Sequence, residues 1–286
     1  MSLFYAAFAS GLLMTATPAA TIEPLSENAA LLIGPSCNSV VLRSDEGLLL
    51  VDDQRSSDVR AIRDLLVRRY HLPVRQVINT HWHLDHSGGN SAFARRGAVL
   101  IAQADVRERL SRPQFMAAYG NTIPASPYYA RPRRTYEGQL TVRFGNERIR
   151  LVHTPNAHTD GDSLVKLERA NVLHMGDLFV NGLYPFIDLS SGGSIQGLIR
   201  AVDAALLISD DNTRIVPGHG PVARRADLVA YRAMLATVAD KVRSHIARGD
   251  SLAATLAAGP AAAFALEGEA DRFVEAIYAG YTATLR

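Results

Sequence analysis

Residues 79–90 read N-T-H-W-H-L-D-H-S-G-G-N, so three histidines and an aspartate (His81, His83, Asp85 and His86) fall within six residues. A regular helix would spread these side chains around its circumference, and a strand would send His86 to the face opposite His81 and His83. A loop leaving a strand can instead turn all four toward one point. Residues 74–79 (V-R-Q-V-I-N) supply a short β-branched strand just before, and Ser87-Gly88-Gly89 supplies backbone freedom for a turn just after. Imidazole nitrogens and carboxylate oxygens are the donor set of borderline metals such as zinc. The fold must therefore bring a strand's carboxyl end to a metal site.

The rest of the chain can be read outward from that stretch. Apolar segments at 30–33, 39–42 and 47–51, separated by Gly34-Pro35-Ser36 and Ser44-Asp45-Glu46, predict a β-rich start. Asp52-Asp53 and Ser56-Ser57-Asp58 follow, and Val59, Ile62, Leu65 and Leu66 at helical spacing predict a helix to about His71. A β-α-β crossover then delivers the histidine loop at a strand's carboxyl end, where open α/β sheets build their sites. A strand over 98–102 and a helix from Ala104 to about Tyr119 come next. The Pro-, Tyr- and Arg-rich residues 121–135 read either as substrate contacts or as a surface connection. Strands resume at 140–144, 149–153, 163–167, 172–174 and 214–216, with a helix over 195–208 and helices over most of 223–285. No repeat or composition break divides residues 21–286, which read as one domain with two strand-rich halves.

Composition adds limits. With 30 basic and 28 acidic residues the net charge is +2, which gives no strong field for nucleic acid or an acidic membrane. The single cysteine, Cys37, excludes an intramolecular disulfide and reads as a small core residue. Residues 1–20 carry no charged side chain. Their apolar run over 3–14, with small residues after it, reads as a signal peptide lacking the usual basic start, and implies a periplasmic or secreted protein with no stable membrane insertion.

Three further strand ends carry polar groups: V-H-T-P-N-A-H-T-D-G-D at 152–162, H-M-G-D-L-F at 174–179 and V-P-G-H-G-P at 216–221. Together with H-x-H-x-D-H these motifs, in this order, resemble the metallo-β-lactamase superfamily. The second motif is one residue longer than the family's usual H-T-P-G-H-T, so the ligand role carries to His158, with His153 supporting or packed. The resemblance implies an α/β (α+β) fold, a four-layer αβ/βα sandwich, with two zinc ions. One would be held by His81, His83 and His158, and the other by Asp85, His86 and His219, with Asp177 between them. It further implies attack of metal-bound hydroxide on a carbonyl (β-lactam, lactone, ester or thioester), with Asp85 orienting the water or taking its proton. Trp82 would pack beneath the loop. Asp52 or Asp53 either fixes a ligand histidine or caps the next helix.

Asp177 stands where one lactamase subclass carries a cysteine, and the serine and extra histidine of another are also missing. That places the chain nearer the thioesterase and lactonase branches. Asn181, Tyr184 and Phe186 are candidate substrate contacts, or a packed turn. Residues 188–194 read as a flexible loop before a helix whose amino end can attract an anion. The alternatives are a mononuclear iron persulfide dioxygenase-like enzyme and a superfamily nuclease. The expected partner is a small-molecule substrate, not nucleic acid; the sequence leaves the oligomeric state open.

Overall fold

The structure, a computed structural model, describes residues 20–283. The expected signal peptide lies outside the described residues apart from Ala20. Two sheets dominate. The larger runs in the order Thr21–Pro24, Ala29–Ile33, Asn38–Ser44, Gly47–Val51, Val74–Ile78, Val99–Gln103 and Arg134–Tyr136. Its first four strands pair antiparallel and the last three are added in parallel. The second runs Gln139–Phe144, Glu147–His153, Ser163–Leu167, Val172–His174 and Arg214–Val216, and only its last pair is parallel.

Alternation of side chains decides the layers. Leu49 and Val51 face the second sheet, where they meet a core that includes Ile78, Phe144, Leu151, Val165 and Val216. Leu48 and Leu50 face the other way, onto Ile62 and Leu66, one turn apart on the Val59–Tyr70 helix. Burial on both faces explains why this strand is apolar at every position. On the far side of the second sheet, Leu164, Leu173 and Ile215 share a core with the Ile195–Leu207, Arg225–Ala247 and Ala270–Ala283 helices. The order helix, sheet, sheet, helix is the expected four-layer sandwich. No described helix is long and apolar enough to cross a membrane.

Two local readings need correction. The helix expected from Ala104 to about Tyr119 stops at Ser111, because Arg112 precedes Pro113 and is forced into an extended conformation (φ −139°, ψ 161°). The chain then forms a hairpin, Gln114–Met116 against Asn121–Ile123, which reaches the candidate site. The Thr21–Pro24 edge strand was not legible at all, being four residues long and ending in proline.

Candidate metal centre

All the ligand-bearing segments leave the carboxyl ends of strands: Val74–Ile78, Glu147–His153, Val172–His174 and Arg214–Val216. In the first loop Asp85 and His86 sit in a single helical turn, Leu84–Ser87, rather than in open loop. The two glycines that follow do not serve as a left-handed turn, since both have helical φ (−68° and −77°). They serve close packing. A Cβ on Gly89 would stand 2.3 Å from the Asp53 carbonyl oxygen, and one on Gly88 would stand 2.4 Å from that of Leu84.

The seven sequence candidates fall into two tetrads that share Asp177: His81, His83, His158 and Asp177, and Asp85, His86, Asp177 and His219. Within each, the ligand atoms lie within 4.8 Å of one another. Asp177 divides its carboxylate between them. Oδ1 lies 3.1 Å from His86 Nε2 and 3.4 Å from His219 Nε2, and Oδ2 lies 3.6 Å from His158 Nε2. Asp85 Oδ2 completes the second group, 3.4 Å from His219 Nε2 and 3.6 Å from His86 Nε2. Gly218 allows this closeness, because a Cβ there would stand 2.0 Å from Asp177 Oδ1.

Outer partners fix the ring tautomers. His158 Nδ1 is 2.8 Å from the Phe186 carbonyl oxygen, His83 Nε2 is 3.0 Å from Asp188 Oδ2, and His86 Nδ1 is 2.8 Å from Asp52 Oδ2. Each of those nitrogens faces an acceptor, so each carries the hydrogen; in His158 and His83 the other nitrogen then turns a lone pair inward, whereas His86, against the effect of burial, is held well above the ordinary imidazole range by the acidic groups around it. His158 Nε2 and His83 Nδ1 then face each other at 2.9 Å with no hydrogen between them. His81 Nε2 is buried without a hydrogen-bond partner. Converging lone pairs of this kind repel unless a cation sits among them. The residues fit a metal.

The electrostatics of the two tetrads differ. Burial pushes His81 well below the ordinary imidazole range and His158 down to about 4, so both are neutral at pH 7. In the second tetrad the Asp177 carboxylate raises His219 to about 9. Burial opposes the ionisation of Asp85 and Asp177, but the imidazoles beside them prevail and hold both carboxyls well below their usual range. One group is thus ready for a cation, and in the other protons occupy its place.

The family profile of the Metallo-beta-lactamase superfamily matches residues 32–219. The chain belongs to that superfamily. Among its relatives, a type 2 metallo-beta-lactamase of Bacillus cereus is 22% identical over 193 residues, covering 67% of this chain and 70% of that protein. A hydroxyacylglutathione hydrolase of Polaromonas is 30% identical over 180 residues, covering 58% and 59%. Among solved structures, a metallo-beta-lactamase from Pontibacter korlensis has a TM-score of 0.61 at 17% identity and covers 76% of this chain and 98% of its own.

As in a superfamily built mostly of hydrolases, the centre opens on a cleft, here a cavity of about 550 Å³. Its lining combines Trp82, His83, Asp85, Asp177 and His219 with the apolar or aromatic Met116, Tyr119, Ile123 and Phe186. Tyr184 lines the cavity, and its hydroxyl donates to the Ala261 carbonyl. Asn181 is not among the lining residues; its amide donates to the Pro221 carbonyl and braces the His219 loop. Trp82 is buried, with Nε1 donating to Ser191 Oγ. His153 joins neither tetrad, and its Nε2 faces the Asp160 carbonyl. His174 is buried and accepts from the Gly176 N–H. Cys37 is buried, as a core residue would be, and burial pushes its thiol up to about 11.

The open question at Asp52 and Asp53 resolves toward support of the ligands. Asp52 accepts from the Thr80 N–H and hydroxyl as well as facing His86, and Asp53 accepts from the Gly89 N–H. The helix begins only after Asp58.

Asp188 is the residue that sequence reasoning missed. Residues 188–194 are not a free loop: the Asp188 carboxylate accepts from the N–H groups of Ser190 and Ser191 while orienting His83. The amino end of the next helix is equally occupied. Ser194 caps it, and Gly197 packs so tightly on Asn156 that a Cβ would stand 1.7 Å from that carbonyl oxygen. An anion has no place there.

Proposed function

We propose that the chain is a two-zinc hydrolase of cyclic amides, esters or thioesters. The observation that carries this is the pair of tetrads sharing Asp177, with imidazole lone pairs converging in the first and carboxylates drawing cationic imidazoles together in the second. His81, His83 and His158 would hold one ion, Asp85, His86 and His219 the other, and Asp177 both. Bound there, two zinc ions supply Lewis acidity and lower the pKa of a water, as paired divalent ions do.

The chain's own groups supply the rest. Asp85 is 20% exposed, ionised and on the cavity lining, so it can orient a water and take its proton. Asp188, Asp52 and the Phe186 carbonyl keep three ligand rings from turning. Trp82, Met116 and Phe186 exclude water from the carbonyl's side, which strengthens the electrostatic interactions there. Two relatives support this reaction class by their names: a beta-lactamase and a hydrolase of hydroxyacylglutathione. An iron persulfide dioxygenase-like reading leaves the second tetrad without use.

The test is turnover of a chromogenic cephalosporin, an acyl-homoserine lactone, an aryl ester and an acyl thioester by the zinc-loaded protein, beside the Asp177→Ala variant. Hydrolysis of at least one by the parent, lost in the folded variant, is the expected result. Full activity of Asp177→Ala with two ions bound would sink the shared-ligand assignment.

A further inference from the structure

Arg55 is the single Lys or Arg lining the cavity, among the described residues. Among the described residues its guanidinium has no hydrogen-bond or ion-pair partner, whereas Arg109 and Arg232, elsewhere on the surface, are each bound to an aspartate. The backbone that carries it is tied down. Asp52 and Gln54 are both left-handed (φ 63° and 69°), a conformation that costs a non-glycine residue about 1 kcal/mol or more. Gln54 is pinned through its side chain, whose amide donates to the Cys37 carbonyl and to Ser39 Oγ, both at 2.8 Å. The Asp53 N–H donates to the His86 carbonyl, and the Gly89 N–H donates to that of Gln54. The segment is thereby clamped to the metal-binding loop on both sides of one peptide unit. Strain and rigidity of this order are typical of backbone that positions a functional group.

We propose that Arg55 is the specificity residue of the centre and binds a single carboxylate on a substrate whose remaining body is apolar. The proposal rests on the hydrolase reading above and adds the substrate class. The cavity lining also includes Met116, Tyr119, Ile123, Leu183 and Phe186, which offer no charge. Asp85 and Asp177 line the same cavity as Arg55, so a substrate held there has the metal centre within the same cleft. The guanidinium's planar fork matches a carboxylate with two parallel hydrogen bonds. One guanidinium pairs with one carboxylate through that fork. Because the donors are preset by a rigid backbone, the ordering cost on binding falls mainly on the arginine side chain.

Binding and turnover test this separately. Calorimetry on the zinc-loaded protein would compare 4-phenylbutyrate with 4-phenylbutanol, with Trp82, the chain's one tryptophan, as a fluorescent reporter in the cavity wall. A charge-assisted pair predicts that the acid binds roughly ten- to a hundredfold more tightly than the alcohol. Arg55→Ala should reduce that preference to about threefold or less, and Arg55→Lys should keep part of it. Arg55 is exposed and unpartnered, so both variants should melt with the parent. A preference that survives in Arg55→Ala would show that the metal ions hold the carboxylate and would overturn the proposal. So would no preference in the parent. Hydrolysis of a 4-nitrophenyl monoester of adipic acid against the hexanoate ester adds the kinetic side: the ratio of their kcat/KM values should fall at least about tenfold in Arg55→Ala. Carboxylate preference lost in Arg55→Ala, with no turnover by the parent of either ester or of the cephalosporin, lactone and thioester above, would contradict the hydrolase reading and leave Arg55 as a carboxylate-binding residue.

Discussion

His83 illustrates how much of this centre depends on residues that would touch no metal. Its Nδ1 can serve as a ligand only while Asp188 holds the hydrogen on Nε2, 3.0 Å away. Burial works against the Asp188 charge, but the hydrogen bonds from His83, Ser190 and Ser191 prevail and hold that carboxyl well below its usual range. Asp188→Ala should therefore weaken metal binding about ten- to a hundredfold, read by chelator competition, and should also lower melting, because the N–H donors of Ser190 and of buried Ser191 lose their acceptor. The two tetrads should also separate on acidification. His219, raised to about 9, takes a proton in competition with metal at any pH below about 9, and increasingly so on acidification, whereas His158, lowered to about 4, does not until far lower. Metal content measured by dialysis from pH 8 to pH 5 should drop first from the tetrad containing His219. Simultaneous loss of both ions would contradict that order.

At the scale of elements, the Ile195–Leu207 helix positions the loop that carries His158, through contact of Gly197 with the Asn156 backbone. Gly197→Ala must push helix and loop apart, and overpacking of this kind costs about 1–3 kcal/mol. Denaturant unfolding should show that loss, accompanied by weaker metal binding; an unchanged midpoint would mean that the helix shifts freely. Most elements were legible because each strand buries one or both faces and each long helix keeps a spaced apolar stripe. The candidate metal-binding loops were legible because four potential ligands in six positions have no structural reason to occur. The hairpin at 114–123 was not, because the apolar spacing continues past Pro113 while the backbone cannot. Nor was Asp188, since an aspartate before Ser-Ser-Gly-Gly looks like any polar loop until the fold brings it 105 residues back to His83.

Over the whole molecule, the centre joins the two halves of the sandwich. His81, His83, Asp85 and His86 follow a strand of the first sheet, and His158, Asp177 and His219 follow strands of the second. Metal bound to such a set favours the folded chain by about 4 kcal/mol when present at a thousand times its dissociation constant. Chelation should therefore lower the melting temperature by several degrees, and zinc should restore it. The measurement that tests the central claim most directly is the metal content of the purified protein by plasma mass spectrometry. The account predicts about two zinc ions per chain, one for each tetrad around Asp177. About one iron ion per chain, with the second tetrad empty, would contradict it.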